Sequence, residues 1–279
     1  MKLIAECGST RAEWVLVEKG AVLQREFTEG INPFFQNRRE ISRSIRLSLP
    51  ESFFKRRTGH VYYYGAGCRS EEKKGIVSAS LIAQFKVPVT VESDLLAAAR
   101  GLFQKEKGIV CVLGGGSNSC FYDGDMIVKN VRSAGYILGD EGGSAVLGKL
   151  FLSDVLKELV PPRLTRDFYD KVRISPETIL ESVYRSPFPN RFLETISYFL
   201  DAYLENDYVH ELFLKNLRSY FSRCVCQYDY KSYPIRFVGS FASKHIDLLK
   251  VVAAEYGVKI DLVLESPMSG LIEYHADSE

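Results

Sequence analysis

The sequence is poor in residues that build metal sites, and it has no excess of one charge. Six cysteines are scattered over 279 residues without a CxxC pair, and the four histidines form no cluster. Structural zinc sites draw on closely spaced cysteine and histidine ligands, so a zinc site is not expected. A net charge of +1 gives no broad attraction to nucleic acid or to an anionic membrane, so neither is an expected partner.

Long apolar runs are missing too. No stretch approaches the roughly 20 apolar residues that a membrane-spanning helix requires, and the first residues have too short an apolar run for a signal peptide. Dispersed cysteines fit a reducing compartment, so a cytoplasmic protein is expected. In the arginine-rich stretch 38–57, Ile41, Ile45 and Leu49 have helical spacing, which indicates the solvated side of an amphipathic helix.

The sequence does contain a glycine-rich segment, 108–144. A short apolar run at 109–113 predicts a buried strand, and three glycines follow at 114–116. Glycine permits positive φ and close approach, so successive amides can point at an anion such as phosphate. A glycine-rich hairpin without a ligand is the alternative. Further on, GDEGGS puts Asp140 and Glu141 in a loop and predicts free backbone amides at the start of the next helix.

The order of predicted elements occurs twice. Residues 1–105 predict three strands and a helix, then strand, helix, strand and helix, and three further strands follow between 109 and 132. A helical stretch at 150–233 interrupts the second copy, and its aromatic residues at helical spacing indicate core positions. The long period indicates a duplicated domain. We therefore predict an α/β protein with lobes 1–105 and 106–266, the first joined by the C-terminal helix 267–279.

Four stretches together resemble one known group: ECGSTRAEW, LGGGSNS, GYILGDEGGS and RFVGSFA. With the two-lobed plan they are similar to the actin-like sugar kinase superfamily, whose lobes are ribonuclease-H-like with the order βββαβαβα. Within it, the sequence resembles bacterial N-acetylglucosamine kinase-like proteins of the BadF/BadG/BcrA/BcrD ATPase family. The resemblance covers essentially the whole chain, including INPF and the late SPMSGLIEYH.

This resemblance implies an ATP- and Mg²⁺-dependent kinase that phosphorylates an N-acetylated amino sugar, with N-acetylglucosamine and its 6-hydroxyl expected. It implies that Asp94 is the catalytic base and that Glu6 binds the metal. Asn32, Asn118 and Asp140 match positions that hold sugar hydroxyls. Two polar turns, Glu6–Thr10 in the first lobe and Gly114–Ser119 in the second, would hold the triphosphate between them. The implied nucleotide-binding residues are Glu6, Gly8, Ser9, Thr10, Arg11, Gly114, Gly115, Gly116, Ser117, Gly239 and Ser240.

Several of these residues also have a purely structural interpretation. Asp94 and Asp140 could each cap the helix that follows them. Asn32 could stabilise an Asn-Pro turn. The pair 239–240 could form an ordinary turn from strand to helix.

The phosphate site departs from the pattern of these relatives. Glu6 and Glu13 stand where aspartate is usual, Arg11 replaces lysine, and Gly115 replaces threonine. The hydroxyl missing at 115 removes a phosphate contact worth about 1 kcal/mol. The departures favour, as an alternative, a non-catalytic sugar or nucleotide sensor of the same fold. A dehydratase-activating ATPase is a third hypothesis, although the cysteine spacing does not suggest an iron–sulfur cluster. Contacts of a homodimer are expected in 150–233.

Overall fold

The computed structural model describes residues 1–8 and 11–276 as an α/β protein. Backbone contacts divide the chain into two compact units. The first unit consists of Met1–Glu106, Asp123–Ile127 and Ser266–Glu279. The second unit consists of Lys107–Tyr122 and Val128–Glu265. The lobe limits predicted from the sequence, 1–105 with 267–279 and 106–266, stay a prediction about domains. In the part of the chain that is described, no helix is both long and apolar enough to cross a membrane.

The first unit is built on a five-stranded sheet. Its strands are β1 (Lys2–Cys7), β2 (Arg11–Glu18), β3 (Ala21–Glu29), β4 (His60–Gly65) and β5 (Val89–Ser93). They lie in the order β3–β2–β1–β4–β5. The three strands β1, β4 and β5 are parallel, whereas β2 runs antiparallel to both of its neighbours.

Helices cover both faces of this sheet. They include α1 (Arg38–Ser48), α2 (Ser52–Lys55), α3 (Glu71–Phe85) and α4 (Asp94–Phe103). Side chains alternate along a strand, so Leu3, Ala5 and Cys7 pack in the core that α1 and α3 share. Ile4 packs with Ala97 of α4 on the opposite face. Glu6 follows Ile4 by two residues and therefore lies on the α4 face.

The second unit repeats the sheet. Its strands are β6 (Gly108–Leu113), β7 (Ser117–Tyr122), β8 (Ile127–Val131), β9 (Ile235–Val238) and β10 (Ile260–Leu264). They lie in the order β10–β9–β6–β7–β8, with β6 antiparallel to β7 and parallel to β9. The duplicated fold predicted from the sequence is thereby confirmed.

The second unit also contains most of the helical chain. Its helices include α5 (Gly135–Leu138), α6 (Ser144–Leu156), α7 (Pro162–Val172), α8 (Pro176–Tyr184), α9 (Pro189–Asp201), α10 (Asp207–Arg223), α11 (Ser240–Lys244) and α12 (Ile246–Glu255). The aromatic positions expected to be core are largely buried, with Phe151, Phe168 and Phe199 in mutual ring contact. Helices α11 and α12 are separated by His245, whose ring Nε2 lies 3.2 Å from an Asp201 carboxylate oxygen.

The last helix, α13 (Met268–Ala276), belongs to the first unit. It packs so closely on α4 that the backbones of the two helices are in contact. A Cβ added to Gly270 would collide with the carbonyl oxygen of Gly101, and one added to Gly101 would lie 2.6 Å from the carbonyl oxygen of Pro267. Gln104 donates a side-chain hydrogen bond to the Gly270 carbonyl at 2.8 Å. These glycines therefore set how closely α13 approaches α4.

Replacing Gly270 by alanine should destabilise the protein by about 2–3 kcal/mol, because α13 must move away from α4. Gly75 is a matched control, since it lies in the exposed middle of α3 with nothing within 4 Å of an added Cβ. Gly75→Ala should stabilise by about 0.5–1 kcal/mol through helix propensity. Urea unfolding of both variants measures the difference, and equal effects would contradict the close packing of α13.

Candidate active site

The first group of predicted site residues lies at one edge of the first sheet. Glu6 belongs to β1 and not to the turn after it, which corrects the sequence-based assignment. Because β1, β4 and β5 are parallel, their carboxyl ends meet at this edge. The Ala66 amide, after β4, donates to the Cys7 carbonyl at 2.8 Å, and the Ile31 amide donates to the Cys7 Sγ at 3.0 Å. The loop that carries Asn32 is thereby held at the end of β1.

Three carboxyl groups approach one another on the α4 face. Glu6 pairs across the sheet with Glu13 of β2. Asp94, at the start of α4, and Glu13 both repel the Glu6 carboxylate electrostatically. Burial, followed by repulsion from Asp94 and Glu13, raises the pKa of Glu6 to about 8. Glu13 also pairs with Arg25 at 3.2 Å. A cation near Glu6 would relieve this repulsion.

Asp94 is the first residue of α4, and Ser93 is its N-cap, with the Ser93 hydroxyl accepting the Leu96 amide at 3.2 Å. The interpretation of Asp94 as the cap is therefore wrong. Its Oδ1 accepts the Leu95 amide at 2.9 Å. Burial raises the pKa of Asp94, and the Leu95 amide and the Arg69 charge oppose that rise. Such a carboxylate is rigidly mounted and retains acceptor capacity.

The first polar turn is closed by a hydrogen bond from the Gly8 amide to the Arg11 carbonyl at 2.9 Å. Ser9 and Thr10, two predicted phosphate ligands, lie outside the described residues. The Arg11 guanidinium stacks over the Phe27 ring, with its Cζ 3.7 Å from the ring centroid. The structure therefore gives Arg11 an aromatic partner on β3.

Asn32 does form the Asn-Pro turn that its structural interpretation predicted. Its Oδ1 accepts the Phe34 amide at 3.0 Å, and its carbonyl accepts the Gln36 amide at 3.1 Å. Gly67, with φ of +80°, lies so close that an added Cβ would be 2.7 Å from the Asn32 Oδ1. The side-chain NH₂ makes no hydrogen bond within the described part of the chain, so Asn32 can still donate to a ligand.

In the second unit, helix α6 docks on the glycine loop 114–116. The amides of Ser144 and Ala145 donate to the carbonyls of Gly114 and Gly115 at 2.9 Å each. The expectation of free amides at this helix start is wrong for those two residues, because loop carbonyls accept them. The Gly115 and Gly116 amides, by contrast, form no hydrogen bond to any described residue. The loop itself thus presents two amide donors of the kind that bind anions.

Gly239 lies beside this loop, because β9 and β6 are parallel neighbours and end at the same edge. Its φ is +127°, and an added Cβ would collide with the Leu113 carbonyl oxygen. Its amide donates to the Leu264 carbonyl at 2.9 Å. Only glycine fits here, and Ser240 follows as an exposed residue at the start of α11. The structure thus brings Gly239 next to Leu113, the residue that precedes the glycine loop.

Asp140 also reaches the glycine loop. An added Cβ at Gly116 would lie 2.7 Å from its Oδ2. The N-cap of α6 is Gly143, so the interpretation of Asp140 as a side-chain cap is wrong. The pKa of Asp140 is raised to about 6 by burial, against hydrogen bonding from the Ser117 amide, and repulsion from Glu141 adds to the rise.

Asn118 and Ser117 are both in β7, directly after the loop. The Asn118 Oδ1 accepts the Asn130 side-chain amide at 3.0 Å, and its carbonyl accepts the Tyr220 hydroxyl at 2.8 Å. The Asn118 NH₂ group makes no hydrogen bond in the described ranges 1–8 and 11–276. Like Asn32, this residue retains a donor.

Sequence reasoning missed two charged residues, one that acts on Asp140 and one that lies against the glycine loop. Lys149 of α6 acts on Asp140 electrostatically. Glu194 of α9 lies against Gly115, where an added Cβ would be 2.8 Å from its Oε2. Lys149 follows Asp140 by only nine residues, but Glu194 is 79 residues from Gly115 and carries no local signal. Only the docking of α9 on α6 brings it there.

The described residues contain no group of three or more histidine, cysteine, aspartate or glutamate side chains arranged to hold a metal by themselves. Magnesium is commonly bound by one or two carboxylates together with substrate phosphates. The buried Glu6 carboxyl, with two other carboxylates near it, fits that mode of binding.

The two sheets of equal strand order form the actin-like fold of sugar kinases. A putative N-acetylglucosamine kinase from Porphyromonas gingivalis is 39% identical over 99% of each chain, with a TM-score of 0.96. A second such protein, from Chromobacterium violaceum, is 15% identical over 98% of each chain, with a TM-score of 0.77. A ROK family glucokinase from Streptomyces griseus, in complex with glucose and AMPPNP, is 14% identical over 98% of this chain and 97% of its own chain, with a TM-score of 0.56.

The last two likenesses show the fold alone. No family model matches the sequence, and no curated protein matches it. The likeness to the Porphyromonas gingivalis protein extends over the whole chain at high identity. The chain belongs to the family of that putative N-acetylglucosamine kinase.

Replacing Asp140 by asparagine should stabilise the protein increasingly as the pH rises from about 4 to about 6, with a constant gain above that. The pKa of Asp140 is raised in the folded state from 3.8 to about 6, so folding favours the protonated carboxyl, and the stability of the wild-type protein falls between those two values. Asparagine stays neutral and avoids that loss, by about 1–2 kcal/mol at pH 7.5 after allowance for solvent screening.

Thermal unfolding of both proteins at several pH values measures this trend. Any hydrogen bond lost in the variant shifts the difference equally at every pH. A stability difference that stays constant with pH would contradict the burial of the Asp140 charge.

Proposed function

We propose that this protein transfers the γ-phosphoryl group of ATP to the 6-hydroxyl of an N-acetylated amino sugar, with N-acetylglucosamine as the substrate. The observation that carries the proposal is the Asp94 carboxylate, fixed at the start of α4 and released from the capping role by Ser93. Membership of the family of the Porphyromonas gingivalis protein supports the same reaction.

Asp94 acts as the general base. A carboxylate within hydrogen-bond reach of the attacking hydroxyl takes its proton as the bond to phosphorus forms. Its Oδ1 is oriented by the Leu95 amide, which leaves Oδ2 for the sugar. Burial raises its pKa, which strengthens it as a proton acceptor compared with an exposed aspartate.

The amides of Gly115 and Gly116 bind the phosphates of the nucleotide. Phosphoryl transfer depends mainly on positioning and on charge stabilisation, and backbone donors provide both. Glu6 contributes a carboxylate to magnesium, which would neutralise phosphate charge when bound. The glucokinase with bound AMPPNP shares this fold and supports ATP as the donor.

Asn32, Asn118 and Asp140 bind sugar hydroxyls. Both asparagines keep a side-chain NH₂ donor after their internal hydrogen bonds are made. Asp140 supplies an acceptor next to the glycine loop. A homodimer with its contacts in 150–233 stays a prediction.

Replacing Asp94 by asparagine should lower kcat about 10²- to 10⁴-fold, because an amide cannot accept the proton. Binding of AMPPNP with magnesium should stay within about threefold, since Asp94 acts in the chemical step. Coupled ADP release at millimolar MgATP, with N-acetylglucosamine, N-acetylmannosamine, glucosamine and glucose, measures the first quantity, and calorimetry measures the second. Helix α4 should persist because its cap, Ser93, is unchanged.

Asp125→Asn is the control, because Asp125 is an exposed aspartate in the turn after β7. It should retain full activity. Full activity in Asp94→Asn would contradict the role as base. A wild-type protein that binds sugar and AMPPNP but releases no ADP would be the sensor, and one that binds neither would contradict the whole proposal.

A further inference from the structure

The carboxylate of Glu194 occupies the side-chain space above Gly115. An added Cβ at Gly115 would lie 2.8 Å from its Oε2 and 3.2 Å from its Cδ. Both residues belong to the second unit. A carboxylate therefore lies beside the same glycine whose amide is available for phosphate.

The position of Glu194 is fixed by the packing of α9. An added Cβ at Gly148 of α6 would collide with the carbonyl oxygen of Leu193, so the two helices touch at the residue before Glu194. The Tyr198 hydroxyl, one turn further along α9, donates to the Glu194 Oε1 at 3.5 Å. The Oε2 of Glu194 faces the glycine loop.

This placement creates a charge conflict. Backbone amides at Gly115 and Gly116 suit a phosphate, whereas an ionised carboxylate beside them repels one. Burial raises the pKa of Glu194, with the Tyr198 hydrogen bond and the Arg191 charge opposing the rise. A metal-free nucleotide would add to the repulsion, and a divalent cation on the phosphates would convert it into attraction.

We propose that Glu194 is a specificity residue, which makes the glycine loop select the magnesium complex of the nucleotide over the metal-free nucleotide. The inference rests on the proposed function, because it requires that the loop bind nucleotide phosphates. One or two carboxylates together with phosphate oxygens are the usual protein ligands for magnesium. Glu194 adds such an oxygen from α9, beside Gly115.

The test is calorimetric titration of AMPPNP into wild-type protein, Glu194→Gln and a control, each in excess EDTA and in excess MgCl₂. The ratio of the two dissociation constants reports the metal selectivity. In Glu194→Gln the ratio should fall at least about tenfold, with metal-free AMPPNP binding more tightly and its magnesium complex more weakly. Glu181→Gln, an exposed acid on α8, should keep the wild-type ratio.

Glu194→Asp is the second variant, since it keeps the charge while shortening the side chain. It should retain a ratio closer to the wild type than Glu194→Gln does, and it provides the comparison if Glu194→Gln does not fold.

An unchanged ratio in Glu194→Gln, or equal loss of both affinities, would overturn the inference and identify Glu194 as a space filler over Gly115. In that case wild-type binding would still uphold the nucleotide site. If wild-type protein binds AMPPNP in neither buffer, the proposed function fails and the inference fails with it.

Discussion

Two backbone hydrogen bonds hold the glycine loop of the second unit, and the candidate phosphate site depends on them. The first amides of α6, at Ser144 and Ala145, bind the carbonyls of Gly114 and Gly115. This close approach needs glycine at 143 as well, because an added Cβ there would lie 2.9 Å from the Gly115 carbonyl oxygen. Once α6 has satisfied those carbonyls, the loop amides at Gly115 and Gly116 are the donors that remain for a ligand.

Carboxylates are gathered near the candidate site residues of each unit. Glu6 is buried near Asp94 and Glu13 in the first unit, and Asp140 lies against Gly116 in the second. Buried like charges favour protonation and cost folding free energy when they ionise. Sites that bind cations or transfer protons commonly carry such a cost, because the same groups act in the reaction. Raised pKa values such as those of Glu6 and Asp140 are therefore expected at sites that bind cations or transfer protons.

Local pattern predicted most elements of the fold closely. The strand predicted from the apolar run at 109–113 matches β6 to within one residue. Prediction from local pattern failed where a contact with a residue distant in the sequence determines the secondary structure. Glu6 was assigned to a turn because a charged residue interrupts the apolar pattern, although it pairs with Tyr64 inside the sheet.

By itself the sequence determined the duplicated order of strands and helices, the glycine loop and the residue types at the candidate site. These depend on period and turn chemistry within a few residues, which the chain carries locally. Only the tertiary structure decided that Ser93 rather than Asp94 caps α4, that α6 uses its first amides on the loop, and that Glu194 covers Gly115. Hydrogen-bond partners and burial are set by residues far apart in the chain, so no local pattern contains them.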